Sequence, residues 1–237
     1  MKSLDFSSVQ NRRHTKCTLI TPIEKWGSLL YEDVVPDFQT WTYSYTGSDA
    51  ESPDAYFSRI QPEKHFCFQS EFFGESIKIL AHEVARFSGK DEYFMLINGD
   101  VMMAISDINK CFFIASSYKL DIFQPSLSRD SFFSHGHLLN KPGHYIEQVD
   151  FTEVMMLGLS SRVWKTLALE NKFTISGWGV DKYLLPYLVK REKWKNPCVI
   201  HACIARHCKP IESRGLIFSN GKTSSQEMLD LKNSLGF

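Results

Sequence analysis

The sequence predicts an α/β fold in which a mixed, mainly parallel sheet is flanked by helices, and two adjoining stretches carry that expectation. Tyr93-Phe94-Met95-Leu96-Ile97 is a continuous run of β-formers that stops at Asn98-Gly99-Asp100. A run of this length ended by turn residues reads as a strand buried on both faces of a mainly parallel sheet. Just before it, Ile77, Leu80, Ala81, Val84 and Ala85 fall on one face of a helix over 75–88, and Gly89 stands where a helix should stop. With His65 to Gln69 as a preceding strand, the order strand, helix, strand is that of a right-handed crossover unit. Neither an internal repeat nor a composition break divides the chain, so one domain over residues 1–237 is expected.

The remaining elements follow in order. Thr18 to Ile20 reads as a first strand, with a short helix around Trp26 to Leu30 after Pro22. Trp41 to Tyr45 alternates aromatic and polar residues and ends at Gly47, a strand signal. Ser48 to Pro53, acidic and small, reads as a loop. Asp107 is placed to cap a helix whose buried stripe is Ile108, Phe112 and Ala115, running to about Tyr118. Asp121 to Gln124 is a short strand, after which the pattern fails. From Pro125 to Gln148 there are prolines, glycines, serines and three histidines but no periodicity, and a connection this long is usually functional or disordered. Val154 to Leu159 is apolar, and Ser160 and Ser161 can cap a helix carrying Val163, Trp164, Leu167 and Ala168. Ser176-Gly177-Trp178-Gly179 leads into the stripe Val180, Tyr183, Leu184, Tyr187 and Leu188, with a distortion expected at Pro186. Val199 to Ile204 is a late strand. Ser224-Ser225-Gln226-Glu227 has the form of a capping box, and Met228, Leu231 and Leu235 give the last helix its apolar face.

Composition excludes several function classes. The 27 basic and 27 acidic residues cancel, so no long-range field attracts nucleic acid or an anionic membrane. With 43% hydrophobic residues the chain can bury a full core. Met1 to Gln10 lacks the apolar core of a signal peptide, and no stretch approaches the roughly 18 uninterrupted apolar residues of a membrane span. The six cysteines are dispersed, as expected of reduced thiols. A cytoplasmic protein is expected, either free or peripheral to the membrane.

In parallel sheets ligands sit beyond the carboxyl ends of strands. Asp100 therefore stands where the sheet opens, beside the amide oxygen of Asn98, and oxygen ligands on a tight turn suit Mg²⁺ or Mn²⁺. An ordinary Asn-Gly turn is the other reading. Glu153 precedes an apolar strand, an expensive place for a charge unless it is paired, for example with Arg129 or Arg162, or used. Asp181 falls in the first turn of a helix, where an acid can simply complement the dipole. Cys198, His201, Cys203, His207 and Cys208 invite a zinc reading, although they lack paired Cys-x-x-Cys spacing and alternate along a strand.

Several stretches together carry a family resemblance. Tyr93 to Asp100 looks like a strand ending in an acidic Asp-x-Asp turn, with Asn98 in place of the first acid. Phe123-Gln124-Pro125-Ser126-Leu127 resembles a Ser-Gln-Pro segment, and Phe151-Thr152-Glu153-Val154-Met155 a Phe-Val-Glu-Ile-Met. Gly177-Trp178-Gly179-Val180-Asp181 is close to Gly-Trp-Gly-Leu-Asp, and His201 through His207 is similar in spacing to a segment that begins with Asp and ends with His. On these matches the chain resembles the plant and bacterial glycosyltransferase-like family catalogued as domain of unknown function seven-zero-seven.

The resemblance implies a Rossmann-like GT-A domain. It would move a sugar from a nucleotide-sugar donor to a hydroxyl acceptor on a glycan or lipid-linked glycan, as a hexosyltransferase of polysaccharide biosynthesis. It implies a divalent metal, Mn²⁺ or Mg²⁺, held by Asp100, Asn98 and His207. Because an amide brings no charge, that metal would be weakly held or brought in with the nucleotide. It implies Asp181 as general base, Glu153 as a second catalytic or acceptor-binding acid, and Trp178, Gly179, Gln124 and His135 as substrate-binding residues. His135 is matched only loosely, and a solvated loop histidine is its other reading. The alternative function is a non-catalytic carbohydrate- or nucleotide-sugar-binding protein descended from such an enzyme and disarmed at Asn98.

Overall fold

The structure is a computed structural model that describes residues 15–23, 30–31, 34–45, 61–210 and 215–237. The helix expected over 26–30 and the loop over 48–53 fall almost wholly outside them. The strands are β1 (Cys17–Pro22), β2 (Leu30–Tyr31), β3 (Gln39–Tyr45), β4 (Lys64–Phe68), β5 (Tyr93–Ile97), β6 (Val101–Ala104), β7 (Ile122–Leu127), β8 (Ile146–Gln148), β9 (Met156–Ser160) and β10 (Cys198–His207). The helices are α1 (Phe73–Phe87), α2 (Ile105–Tyr118), α3 (Ser161–Leu169), α4 (Leu185–Glu192) and α5 (Ser224–Ser234).

These strands form one mixed sheet in the order β2-β6-β10-β7-β9-β5-β1-β3-β4, with β8 paired to β10. β1, β3, β4 and β5 run parallel. β9 runs against its neighbours β5 and β7, and β7 and β10 are parallel to each other. Period-two alternation in β5 feeds two cores. Tyr93, Met95 and Ile97 pack with Ile108, Phe112 and Ala115 of α2 on one face. Phe94 and Leu96 pack with Leu80 and Val84 of α1, Trp164 and Leu167 of α3, and Leu188 of α4 on the other. The expected crossover exists as β4-α1-β5, but β1 and β3 lie between the two strands.

The local departures have identifiable causes. β7 continues through Pro125 to Leu127, because a register shift against β10 between Ile200 and Ile204 lies where the missing proline donor would otherwise break the ladder. Helix α2 begins at Ile105, so Asp107 sits inside its first turn, where it bonds Lys110 and accepts from the Ile204 amide. Ser160 occupies the N-cap of α3 without capping it, because its hydroxyl is turned to the buried Asp121. The capping box of α5 is formed by Thr223 and Gln226, one residue earlier than expected, since Glu227 is engaged elsewhere. Pro186 falls in the first turn of α4 and is preceded by a π-helical turn over Val180–Leu184, a local widening common at functional sites. Among the described residues no helix is long and apolar enough to cross a membrane.

Candidate functional site

The site is built where β5, β6 and β10 meet. Beyond β5 the chain makes a tight turn, closed by Val101 N–H donating to the Asn98 carbonyl at 3.1 Å, and returns as β6. β6 pairs antiparallel with β10 so that Val101 lies opposite His207. The ladder runs one step further as the Cys208 amide donates to the Asp100 carbonyl. This register puts His207 Nε2 3.2 Å from Asp100 Oδ2. On the other side of the ring, His207 Nδ1 lies 2.9 Å from the Phe132 carbonyl. A carbonyl can only accept, so Nδ1 carries a proton. In the neutral ring Nε2 then offers a lone pair, and in the charged ring it donates to Asp100. Burial works against the imidazolium, but the Asp100 hydrogen bond and charge, the Phe132 carbonyl and Glu153 outweigh it and raise the pKa.

Met155 links this corner to the next. Its carbonyl accepts from the Asn98 amide, and the same short loop carries Glu153 and Val154. Gln124, fully buried on β7, accepts from the Glu153 amide with its side-chain oxygen at 2.6 Å. Asp181 Oδ2 accepts from the Val154 amide at 3.3 Å, and Oδ1 from Lys182 N–H at 2.8 Å. The Asp181 carboxylate is thereby fixed against the loop that itself carries Glu153. Burial pushes Glu153 up to about 7, with Asp181 adding to the rise and His207 opposing it. Burial likewise pushes Asp181 up to about 6, against the pull of its amide donors. No arginine pairs with Glu153 among the described residues. Arg162 is taken by Asp121, and among the described residues the cation-forming group within ion-pair distance of Glu153 is His135, 4.0 Å away.

His135 stands edge-on to Phe151, as does His137, with ring centroids 4.8 Å apart in both pairs. Burial, with His137 and Lys182 nearby, lowers the pKa of His135 and favours its neutral form. Trp178 is half-buried, and its amide donates to Ser176 Oγ. Gly179 has φ of 88°. A side chain there would press on Met228 and Leu231 of α5, so a close approach to that helix as well as the left-handed backbone requires glycine. Two further residues hold backbone beside the site. Glu227, buried in α5, accepts from the amides of Ile175 and Ser176. Ser131 accepts from the His207 amide. Ser131 carries no motif and Glu227 reads only as the acid of a capping box; the tertiary contact gives each its role.

For a divalent cation, the donors in contact are Asp100 and His207, and Asn98 stands two residues before Asp100 on the same turn. Asn98 Oδ1 and Asp100 Oδ1 are both buried and have no hydrogen-bond partner. Orphaned oxygens of this kind are what an oxygen-preferring cation would satisfy. Among the described residues no three His, Cys, Asp or Glu side chains gather as a metal-holding group. The residues thus fit a cation whose shell is completed by its ligand. The zinc reading fails for the same reason, and His201 is turned to Glu147 while Cys198 and Cys203 are buried.

No family model and no curated protein matches the sequence. Solved structures do match the fold. TarS 1-349 of S. aureus in complex with UDP-GlcNAc superimposes with a TM-score of 0.63 over 93% of this chain, at 8% identity. GalNAc-T7 with UDP, GalNAc and Mn²⁺ superimposes with a TM-score of 0.60 over 92% of this chain, at 9% identity. The fold is that of the GT-A glycosyltransferases. The chain spans 65% of the length of TarS 1-349 and 48% of the GalNAc-T7 chain.

Proposed function

We propose that this chain, as one GT-A domain, transfers a glycosyl group from a nucleotide-sugar to a hydroxyl of a glycan or lipid-linked glycan. The observation that carries the reading is a pair of carboxylates on a GT-A fold, Glu153 on one short loop and Asp181 bonded to that loop, with burial raising them to about 7 and about 6. General acid–base work near neutral pH needs groups tuned to that range. The motif matches support membership of the family catalogued as domain of unknown function seven-zero-seven. A cytoplasmic role in polysaccharide synthesis, free or at the membrane surface, accords with the lack of a spanning helix among the described residues.

In this reading Asp181 takes the proton of the acceptor hydroxyl as that oxygen forms its bond to the sugar. Its two amide hydrogen bonds fix the carboxylate and leave lone pairs for a further donor. Glu153 Oε2 is buried and without a hydrogen-bond partner. In the proposed mechanism it binds an acceptor or donor hydroxyl, or shares the proton with Asp181. Gln124 acts as a positioning residue through the Glu153 amide, and His135 and Trp178 contact substrate. Asp100, Asn98 and His207 would hold Mn²⁺ or Mg²⁺ against the donor diphosphate, where such a cation supplies Lewis-acid stabilisation of the leaving group.

Since TarS and GalNAc-T7 are described with UDP-linked ligands or UDP, UDP-sugars are the first donors to test. Thermal shift with a panel of nucleotide-sugars, with and without Mn²⁺, should single out one donor. A ligand at a hundred times its dissociation constant adds about 2.7 kcal/mol. Slow hydrolysis of that donor supports the transferase. Binding without any turnover favours the second reading, a nucleotide-sugar-binding protein disarmed by the uncharged Asn98.

A further inference from the structure

We propose that a groove beside Asp181 binds the acceptor and selects one that carries negative charge, a phosphate- or carboxylate-bearing glycan. The inference rests on the transferase reading above. The groove has a volume of about 580 Å³, within the roughly 300–1,000 Å³ of small-ligand sites. Its position is set by Lys182, which follows Asp181 in the chain, and by Phe151, whose ring packs against His135. None of Asp181, Glu153, Asp100, Asn98 and His207 lines it, but Lys182 is one residue from Asp181 and Phe151 two from Glu153, whereas no lining residue neighbours Asn98, Asp100 or His207 in the chain. An occupant would therefore reach the site from the side of the proposed base, away from the residues that would hold a cation and diphosphate.

Charge then narrows the occupant. Lys182, Lys190 and Lys193 line the groove against a single acidic side chain, Asp150. Among the described residues none of the three lysines is within ion-pair distance of a carboxylate. The C-terminal dipole of α4 accounts for a cation at Lys190. It does not account for Lys182, near the start of the same helical segment, turned into the same groove. A negatively charged acceptor must also approach Asp181 and Glu153, and the lysines offset that repulsion. Trp194 and Phe237 add flat apolar surface on which a sugar ring can lie.

The test is titration calorimetry on the full chain with a galacturonate hexamer, a phosphorylated maltohexaose and neutral maltohexaose. At least one charged oligomer should bind, more weakly as salt rises, and the neutral one should not; the carboxylate and phosphate arms tell the two sources apart. Lys190→Glu with Lys193→Asn, the second chosen because Lys193 has φ of 55° and asparagine tolerates that backbone, should weaken charged-oligomer binding by roughly tenfold or more. The double variant should stay folded, with only the small fall in melting temperature expected from reversing a charge at the C-terminus of α4. Lys90→Glu, just ahead of the far end of β5, should leave binding unchanged. The proposal is overturned if no charged oligomer binds, if the neutral oligomer binds as well as the charged ones, if the double variant binds like wild type, or if Lys90→Glu weakens binding equally. UDP-sugar binding and hydrolysis are followed in parallel. A donor bound and hydrolysed with no charged oligomer bound removes the acceptor inference alone, whereas no donor binding at all removes the transferase reading itself.

Discussion

Asp100 and His207 are 107 residues apart in the chain and 3.2 Å apart in space. The β6–β10 register that sets Val101 opposite His207 is what joins them. Strand pairing thus does the work of convergence, and the Phe132 carbonyl then fixes which imidazole nitrogen faces the carboxylate.

That geometry predicts the metal behaviour. Mn²⁺ should bind weakly alone and measurably with a nucleoside diphosphate, because Asn98 supplies oxygen without charge. Asn98→Asp should strengthen binding of Mn²⁺ by itself, and His207→Ala should weaken binding in both backgrounds. Affinity should also fall with falling pH, since the raised pKa of His207 lets a proton compete for Nε2. Calorimetric titrations that find equal Mn²⁺ affinity in wild type and Asn98→Asp would count against this assignment.

Glu153 predicts a pH dependence of stability. Its carboxyl titrates at about 7 in the folded chain against an ordinary 4.5, so the folded state holds the proton more tightly. The stabilisation this brings is full below about 4.5 and is lost as pH rises through about 7, a change on the order of 3 kcal/mol. Glu153→Gln, which cannot ionise, should therefore melt higher than wild type at pH 8 and close to it at pH 4.5. Melting curves with the same difference at both pH values would show that Glu153 is not held neutral.

Glu227 predicts a loss that reaches the site from outside it. Its carboxylate accepts from the amides of Ile175 and Ser176, with Asn220 as a third donor. Removing it strands amides at the start of the Gly177-Trp178-Gly179 turn. Glu227→Ala should cost on the order of 3 kcal/mol in urea unfolding. It should lower turnover as well, because the turn it holds leads straight into Asp181. A variant that unfolds like wild type would mean that water replaces the carboxylate.

Much of the fold was legible because local pattern and tertiary role agree. Tyr93–Ile97 is apolar without alternation because both of its faces meet helices, and Asp100 follows it because the strand ends there. The candidate site was legible only where a motif pointed to it. Gly177 to Asp181 announced itself, whereas Glu227 is an ordinary helix acid until the fold sets it against Ile175. Pro125 misled for a definable reason: proline normally ends a central strand, and the register shift on β10 that tolerates it is written in another segment. Gln124 read as a ligand-contacting residue from its motif, yet it is fully buried and spends its amide on Glu153.

Asp181 separates the chemical reading from the structural one most sharply. A general base acts in the chemical step and hardly at all in donor binding, so Asp181→Asn should keep donor affinity and lose turnover by about 10²- to 10⁴-fold. Even in a partly buried geometry a helix-dipole contact is worth at most about 2 kcal/mol, which falls short of such a loss. The asparagine oxygen can keep only one of the two amide hydrogen bonds that Asp181 accepts, from Val154 and Lys182, so donor binding must be measured on the same preparation. The variant should also move its neighbour. The charge of Asp181 helps to raise Glu153, so without it Glu153 should titrate lower, which carboxyl NMR can follow. Transfer at the wild-type rate with Glu153 shifted would keep the electrostatic coupling and hand the role of base to Glu153.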